Sequence, residues 1–454
     1  MFSSNSKLPI GLSILFLTIS SALAAKCVGQ EGSGDPSSAE ETLSLKLEGI
    51  ADAVTLFRSG RYGECRERLI AARATRPSLP PADTFLAVLH LSAGRTSAAR
   101  AALDLAVINA PEDPEAYILL ADIALRDGQR TFANLGYEKG QELLDEIGGF
   151  PKRRKALNLR ILAGMSSLAE IRGQFEKAES YLKLWEREVP DSPVITGSLG
   201  RIYFQQQQYD MARETFAKLI ELEPNSPPVE IVMGRLFGES GMREESSQEM
   251  AKAAKLYPDD IKVRLAVAAR AIEIGNLELL KENVKAAKKL NPNALEVGVI
   301  EAKLFQLEGD FEKAEATASA VVLSNPNSFS AVDELAQVLA DSENEDKRKL
   351  ALEYARRNYS AYGKTRSKAA VTAVITYAWV LFRNDRSADA EVVLRSVPSG
   401  STIGPQQTYY SGMIYLARGQ KTAGINALSA ALASDGLFSG RAACKVQLDK
   451  IRGQ

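Results

Sequence analysis

Five prolines recur every 34 residues through the middle of the chain. They are Pro190, Pro224, Pro258, Pro292 and Pro326. Six glycines keep the same period in two series, and these are Gly60, Gly94 and Gly128, then Gly241, Gly275 and Gly309. Glycine and proline are the residues that most often end helices. A period shared by both therefore predicts a chain of repeated helical units.

Each period carries the pattern of two amphipathic helices. In the period that contains Leu199, the bulky residues Leu199, Tyr203 and Phe216 recur at helical spacings and mark a buried face. The small residues Gly200 and Ala212 stand where two antiparallel helices would have to approach closely. A glycine then suits the left-handed conformation that closes the first helix. A proline ends the second helix, because it lacks a backbone donor and pushes the preceding residue out of helical geometry.

The motif Leu-Gly-x2-Tyr, Ala-x3-Phe and a closing proline, which begins at Leu199, resembles the tetratricopeptide repeat. The same frame returns 34 residues later at Met233, Gly234 and Phe237. The resemblance implies an all-α fold, a right-handed superhelical solenoid of about eleven tandem helix-turn-helix repeats with a C-terminal closing helix. A single such motif would be weak evidence, whereas the combined motifs along most of the chain are specific.

The repeat array is predicted to span residues 46–438 and the closing helix residues 439–454. Two places break the period. Between residues 131 and 154 a second helix runs on before a Gly-Gly-Phe-Pro turn and a basic run begin. Between residues 341 and 347 an acidic insertion delays the next helix, after which the period is regained.

Residues 1–25 have the features of a secretory signal peptide, with Lys7, a short apolar run and the small residues Ala22, Ala24 and Ala25 at its end. Retention of this segment as a membrane anchor is the alternative. The apolar run is short for a membrane span, so cleavage is favoured. We therefore expect an extracytoplasmic protein, located in the periplasm or cell envelope if the cell is bacterial.

Residues 26–45 form a polar tether rich in Gly, Ser and Glu that is not expected to fold by itself. Cys27 lies close enough to the signal segment to raise the possibility of lipid attachment. Bacterial lipoprotein signals, which it resembles, require a small residue directly before the cysteine, and Lys26 stands there. Contact with a membrane is therefore expected only if the N-terminus is retained or Cys27 is lipidated.

The composition argues against most kinds of chemistry. The chain has one histidine, His90, and the repeat frame places it at a core position. We expect no catalytic residues, no metal site and no cofactor, because neither multi-histidine sites nor nucleophile motifs are present. The charges nearly balance, at 56 Lys plus Arg against 57 Asp plus Glu, so nucleic acid is not expected as a partner. The basic run 152–155 is predicted to be a solvated helix face.

Peptide binding is the function that the resemblance implies, in a groove lined by the first helices of successive repeats. Arg201, Arg235 and Lys303 occupy equivalent first-helix positions in that frame, with Phe204 one turn along from Arg201. These cations would suit an acidic peptide. The alternative is that they are solvated or paired with nearby glutamates. Those glutamates are Glu230, Glu239 and Glu273.

Towards the C-terminus the corresponding positions are apolar or aromatic. They are Ile375, Trp379 and Phe382 in one repeat and Tyr409, Met413 and Leu416 in the next. An aromatic groove of this kind could anchor a helix. The alternative, equally favoured, is that these side chains pack under the closing helix or against neighbouring turns of the array.

The sequence thus predicts an exported scaffold without enzymatic activity, which binds peptide or protein partners in the concave groove of a tetratricopeptide solenoid. The alternative is a membrane-tethered assembly factor of an envelope polysaccharide-export or secretion machine. The identity of the partner is not encoded in any motif of the chain.

Overall fold

The computed structural model describes residues 50–453 except 147–149, 364, 366 and 399. The signal segment, the tether and Cys27 lie outside these residues. The described chain is helical, and its helices follow one another as eleven helix-turn-helix pairs and a closing helix. The predicted all-α repeat fold is confirmed. The chain divides into two compact units between Pro224 and Asn225, which we call unit 1 and unit 2.

Unit 1 contains five pairs of helices. They are α1 (50–58) and α2 (Tyr62–Thr75), α3 (Ala82–Ser92) and α4 (Thr96–Asn109), α5 (Pro114–Arg126) and α6 (Arg130–Glu146), α7 (Pro151–Ile171) and α8 (Phe175–Glu188), and α9 (Pro193–Gln205) and α10 (Tyr209–Leu222). The irregular place predicted near 131–154 corresponds to α6 and α7. The second helix α6 has 17 residues where most second helices have 14, and the first helix α7 has 21 where the other first helices have 16 or fewer.

Unit 2 contains six pairs and the closing helix. They are α11 (Val229–Glu239) and α12 (Arg243–Leu256), α13 (Ile261–Ile274) and α14 (Leu277–Leu290), α15 (Leu295–Glu308) and α16 (Phe311–Ser324), α17 (Phe329–Ala340) and α18 (Glu345–Tyr362), α19 (Lys368–Arg383) and α20 (Ser387–Leu394), α21 (Pro405–Ala417) and α22 (Lys421–Ala433), then α23 (Arg441–Arg452). The insertion predicted at 341–347 forms the turn between α17 and α18 and the first residues of α18.

The periodic glycines and prolines end the helices as the sequence predicts. Gly275 and Gly309 adopt left-handed conformations, with φ of 81° and 80°, directly after α13 and α15. A side chain at these positions would be strained, so glycine is favoured there. Pro224 and Pro258 each stand two residues after the last residue of a second helix.

In unit 2 the first helices of successive pairs contact one another in series, from α11 through α13, α15, α17 and α19 to α21. We call these six helices the inner layer of unit 2. Their partners α12, α14, α16, α18, α20 and α22 pack behind them. The closing helix α23 packs on α22 and buries Cys444 and Leu448 in the core. The inner layer is therefore one continuous series of equivalent helices.

Candidate binding site

Two of the three predicted cations of the groove, Arg201 and Lys303, have partners within the protein. Arg201, on α9 of unit 1, lies 3.4 Å from the carboxylate of Glu170 and donates to Ser198 Oγ at 3.1 Å. The Phe204 ring is buried in the same unit and packs against Tyr209 at 5.3 Å between ring centroids. No contact shows whether these residues bind a ligand, so their role in binding stays a prediction.

The other two predicted cations belong to unit 2. Arg235 is exposed on α11. Lys303, on α15, is largely buried, and its Nζ donates to Gln306 Oε1 at 2.8 Å. Its Nζ also lies 3.9 Å from Glu334 Oε1. Lys303 thus has a carboxylate partner on the neighbouring helix, which is not one of the glutamates expected from the sequence.

The predicted aromatic groove residues are brought together, but mostly inside the core of unit 2. Ile375, Trp379 and Tyr409 are buried, and Trp379 stacks on Tyr410 with ring centroids 4.1 Å apart. Phe382, Met413 and Leu416 pack against the same core and stay partly exposed. Tyr409 also contacts Phe438, which precedes the closing helix, at 5.9 Å. This packing corresponds to the second of the two interpretations of the sequence.

Polar side chains beside this aromatic core form a cluster that the sequence reasoning missed. We call it the inner polar cluster, and it consists of Lys303, Gln306, Asp333, Glu334, Gln337, Asp341 and Arg383. Its members come from α15, from α17 and the residue that follows it, and from α19. A signal was visible in the sequence, because Asp333 and Glu334 interrupt an otherwise apolar helix with ionisable groups.

Asp341 is the centre of one half of the cluster. Its Oδ1 accepts a hydrogen bond from Trp379 Nε1 at 3.2 Å, and its Oδ2 accepts one from Gln306 Nε2 at 3.4 Å. The Arg383 guanidinium lies 3.9 Å from Asp341 Oδ1 and 5.7 Å from the centre of the Trp379 ring. The carboxylate and the indole ring thus hold the Arg383 guanidinium, although the ion pair is long.

The two remaining carboxylates of the cluster are incompletely satisfied. Asp333 and Glu334 are 6% and 7% exposed. Gln337 donates to Asp333 Oδ2 at 2.8 Å, but Asp333 Oδ1 and Glu334 Oε1 are buried without a hydrogen-bond partner. Burial raises the pKa of Asp333 to about 6, with a smaller contribution from the charge of Glu334. Burial likewise raises the pKa of Glu334 and of Asp341.

A second buried charge cluster lies in unit 1 and involves the basic run predicted to be a solvated face. Arg153 is largely buried and donates to both oxygens of Asp113, at 2.8 and 2.7 Å, and to Glu115 Oε2 at 2.8 Å. Arg160 pairs with Asp122, whose Oδ1 also accepts a hydrogen bond from the Tyr137 hydroxyl at 2.6 Å. For Arg153 the expected solvated position is wrong.

Two other cations of the basic run pair at the surface. Arg154 lies 3.7 Å from Asp145, and Lys155 lies 3.0 Å from Glu188. The run therefore ties α7 to its neighbours in unit 1. Within the described residues, no group of His, Cys, Asp and Glu has the arrangement of a metal site. Across the same part of the chain, every helix falls short of the length and apolar character needed to cross a membrane.

A further sequence prediction concerns the histidine. His90 is buried between Phe57 and Tyr62, with both ring centroids 4.9 Å away, and burial lowers its pKa. The predicted core position of His90 is confirmed. Cys65 and Cys444 are buried thiols in different units.

Comparison with protein families agrees with the motif and the helix pairs. A model described as tetratricopeptide repeat matches residues 56–123, and a second model with the same description matches residues 198–226. The chain contains tetratricopeptide repeats. The matched residues fall on helices α1 to α5 and on α9 and α10.

Several solved structures of tetratricopeptide proteins are similar to this chain at low identity. Yeast Tom70 is 14% identical over 90% of this chain and 96% of its own, with a TM-score of 0.38. A tetratricopeptide repeat protein from Parabacteroides merdae is 14% identical over 65% and 99%, with a TM-score of 0.33. PilF of Pseudomonas aeruginosa is 14% identical over 48% and 94%, with a TM-score of 0.33. No curated protein is significantly similar to the chain. Similarities of this size assign no function to it.

Proposed function

We propose that this protein is an exported interaction scaffold, which binds a peptide or protein partner along the inner layer of unit 2. One observation carries the proposal. Six equivalent first helices contact one another in series, and a cluster of charged and amide side chains crosses three of them beside aromatic rings. Repeat arrays use such series of equivalent helices to bind extended partners.

The arrangement of the cluster supports binding rather than catalysis. Its carboxylates have amide, indole and cationic neighbours, and none of them lies beside a nucleophile and base pair of the kind that hydrolytic enzymes use. The histidine is held between aromatic rings in unit 1. Ionisable groups that are fixed by packing and only partly satisfied are suited to discriminating between partners by charge.

Export is the second part of the proposal and rests on the sequence of residues 1–25. The alternative scaffold is one tethered to a membrane, through a retained N-terminus or a lipid on Cys27, that assembles an envelope polysaccharide-export or secretion machine. Mass spectrometry of the mature N-terminus from separated soluble and membrane fractions distinguishes these forms. A soluble chain beginning near Ala25 supports the free scaffold, and a lipidated Cys27 supports the tethered one.

The binding surface is tested by photo-crosslinking in the native cells. A benzoylphenylalanine residue is placed at Arg235, which is exposed on the inner layer, and in a second variant at Leu323, which is 83% exposed on the second helix α16. We expect a defined adduct from the inner position and none of that adduct from the outer one. Adducts from the outer position alone would contradict binding at the inner layer.

A further inference from the structure

The inner polar cluster has more hydrogen-bond acceptors than the protein supplies with donors. Glu334 Oε1 and Asp333 Oδ1 are buried without a hydrogen-bond partner. A buried acceptor in this state costs free energy, so an unsatisfied carboxylate in a folded protein calls for an explanation. Thr376 and Gln337 both face Asp333, so Glu334 Oε1 is the atom that gives the cluster acceptor capacity for a donor from outside.

The balance of charge favours a cationic donor. The cluster holds the carboxylates of Asp333, Glu334 and Asp341 and the cations of Lys303 and Arg383, which leaves a net charge of −1 when all are ionised. Both ion pairs measure 3.9 Å, which is longer than a hydrogen bond. The protein's own cations therefore approach the carboxylates without satisfying them.

The cluster also has an edge that reaches solvent. The side chains of Lys303 and Asp341 are each 16% exposed, and that of Arg383 is 30% exposed, whereas Glu334 is buried. Lys303 has a flexible aliphatic stem with three rotatable donors, so its ammonium group can take up another position. Phe382 and Trp379 contribute aromatic rings at the same place, 5.4 Å apart.

We propose that Glu334 and Asp341 form a subsite for the guanidinium or ammonium group of an arginine or lysine in a bound peptide. The inference rests on the proposed function, because it names the chemistry of the partner that the inner layer of unit 2 would bind. The two carboxylates stand seven residues apart, two helical turns on one face. A guanidinium between them donates to Glu334 and Asp341.

Other ligands fit these groups less well. An anion meets three carboxylates and is repelled. A metal ion has no suitable group of ligands among the described residues. The charge around Lys303 thus favours a basic partner at this position, where the cations of the sequence, taken alone, favoured an acidic one.

The test uses the purified full chain and an array of random dodecapeptides as the probe. Soluble fluorescein-labelled copies of the best binders are then measured by fluorescence anisotropy, each beside a copy in which one arginine is replaced by neutral citrulline. We expect arginine and lysine to be enriched among the binders. We expect about a tenfold loss of affinity for the citrulline copy, as is typical when a charge-assisted hydrogen bond is removed.

Variants link this preference to the cluster. Glu334→Gln keeps the size of the side chain and removes its charge, so it should abolish the preference for arginine over citrulline. Glu353→Gln alters an exposed glutamate on the second helix α18 and should leave the preference unchanged. Asp341→Asn provides a second test in case Glu334→Gln does not fold, as judged by its thermal melt.

The outcomes distinguish a failure of the subsite proposal from a failure of the proposed scaffold function. Peptides that bind without a basic preference, or that keep it in Glu334→Gln and Asp341→Asn, overturn the subsite and leave the scaffold in place. An array on which no peptide binds the wild-type chain contradicts peptide binding itself. Binders enriched in aspartate and glutamate would also overturn the subsite.

Discussion

Both units bury a cluster of charged side chains, but the two clusters differ in how completely their carboxylates are hydrogen-bonded. In unit 1, Arg153 makes three hydrogen bonds of 2.8 Å or less to Asp113 and Glu115, and Arg160 pairs with Asp122. Guanidinium groups present a fork of donors that matches carboxylates in this way. No carboxylate oxygen of these three acidic residues is left buried without a partner.

In unit 2 the corresponding pairs are loose. Lys303 and Arg383 each lie 3.9 Å from their carboxylates, and buried oxygens of Asp333 and Glu334 have no hydrogen-bond partner. Burying a charge costs free energy unless hydrogen bonds compensate for it. The unit 1 cluster has these hydrogen bonds within the protein and needs no ligand. In the unit 2 cluster a ligand can supply hydrogen-bond donors that the protein lacks.

The largest expected effect follows from breaking the satisfied cluster. Arg160→Met leaves the Asp122 carboxylate buried with the Tyr137 hydroxyl but without its guanidinium. We expect a loss of about 3 to 5 kcal/mol in the free energy of unfolding of unit 1. Urea titration followed by Trp185 fluorescence measures this in a Trp379→Phe background, because the chain has one tryptophan in each unit.

The control for Arg160→Met is the double variant with Asp122→Asn. Removing both charges should restore much of the lost stability, because no uncompensated carboxylate remains. A double variant as unstable as Arg160→Met would mean that the packing of the arginine stem, and not its charge, stabilises unit 1.

A glycine beside the same cluster gives a smaller effect. A Cβ on Gly164 would lie 2.2 Å from Cζ of Tyr137, whose hydroxyl donates to Asp122, so the ring has to move. Gly164→Ala should destabilise unit 1 by about 1 to 3 kcal/mol through overpacking. Gly197→Ala is the matched control, because its Cβ would meet Leu219 at an ordinary 3.5 Å. Thermal melts that show equal shifts for both variants would contradict this packing.

Unit 2 should become more stable, not less, when the carboxylate charge of Asp333 is removed. The pKa of Asp333 is raised to about 6 in the folded protein, chiefly by burial, so its ionisation opposes folding. Stability from this residue is present below the unfolded pKa of 3.8 and is lost as the pH rises towards 6. Asp333→Asn should therefore stabilise unit 2 by about 1 to 2 kcal/mol at pH 7.5 and by almost nothing at pH 4.

The neighbours of Asp333 decide whether that expectation holds. Gln337 can donate to an asparagine oxygen as it does to the carboxylate, and Thr376, Glu334 and Lys303 complete the surroundings. Urea titrations at pH 7.5 and pH 4, followed by Trp379 fluorescence in a Trp185→Phe background, test it. A variant that is less stable than the wild type at pH 7.5 would show that the carboxylate is well compensated.

The helix pairs could be predicted from the sequence because their signals are local. Pro258 follows α12 by two residues and Gly275 ends α13, so each helix end is encoded within a few residues of itself. The 34-residue period then carries the assignment from one pair to the next. The fold class and the number of repeats follow from these signals and from amphipathic spacing.

Whether the inward side chains of the inner layer are open or covered could not be predicted in the same way. Trp379 has the spacing of a groove residue, but it is covered by Tyr410, whose hydroxyl reaches Gln337 across 73 positions of the sequence. Whether an inward side chain lines a groove or fills it depends on how closely distant repeats approach, and spacing within one repeat carries no such information. The partners of Arg201 and Lys303 likewise lie on neighbouring repeats.

The smallest expected effect compares the two clusters directly. Lys303→Met removes a cation that is 3.9 Å from Glu334 and hydrogen-bonded to Gln306, so about 1 kcal/mol should be lost from unit 2. The matched change in unit 1, Arg160→Met, should cost several times more. Both are measured by urea titration with the tryptophan of the other unit replaced by phenylalanine. If the two losses proved equal, the cation of unit 2 would stabilise its carboxylate as well as that of unit 1 does. The acceptor capacity assigned to Glu334 would then be taken up by the protein itself.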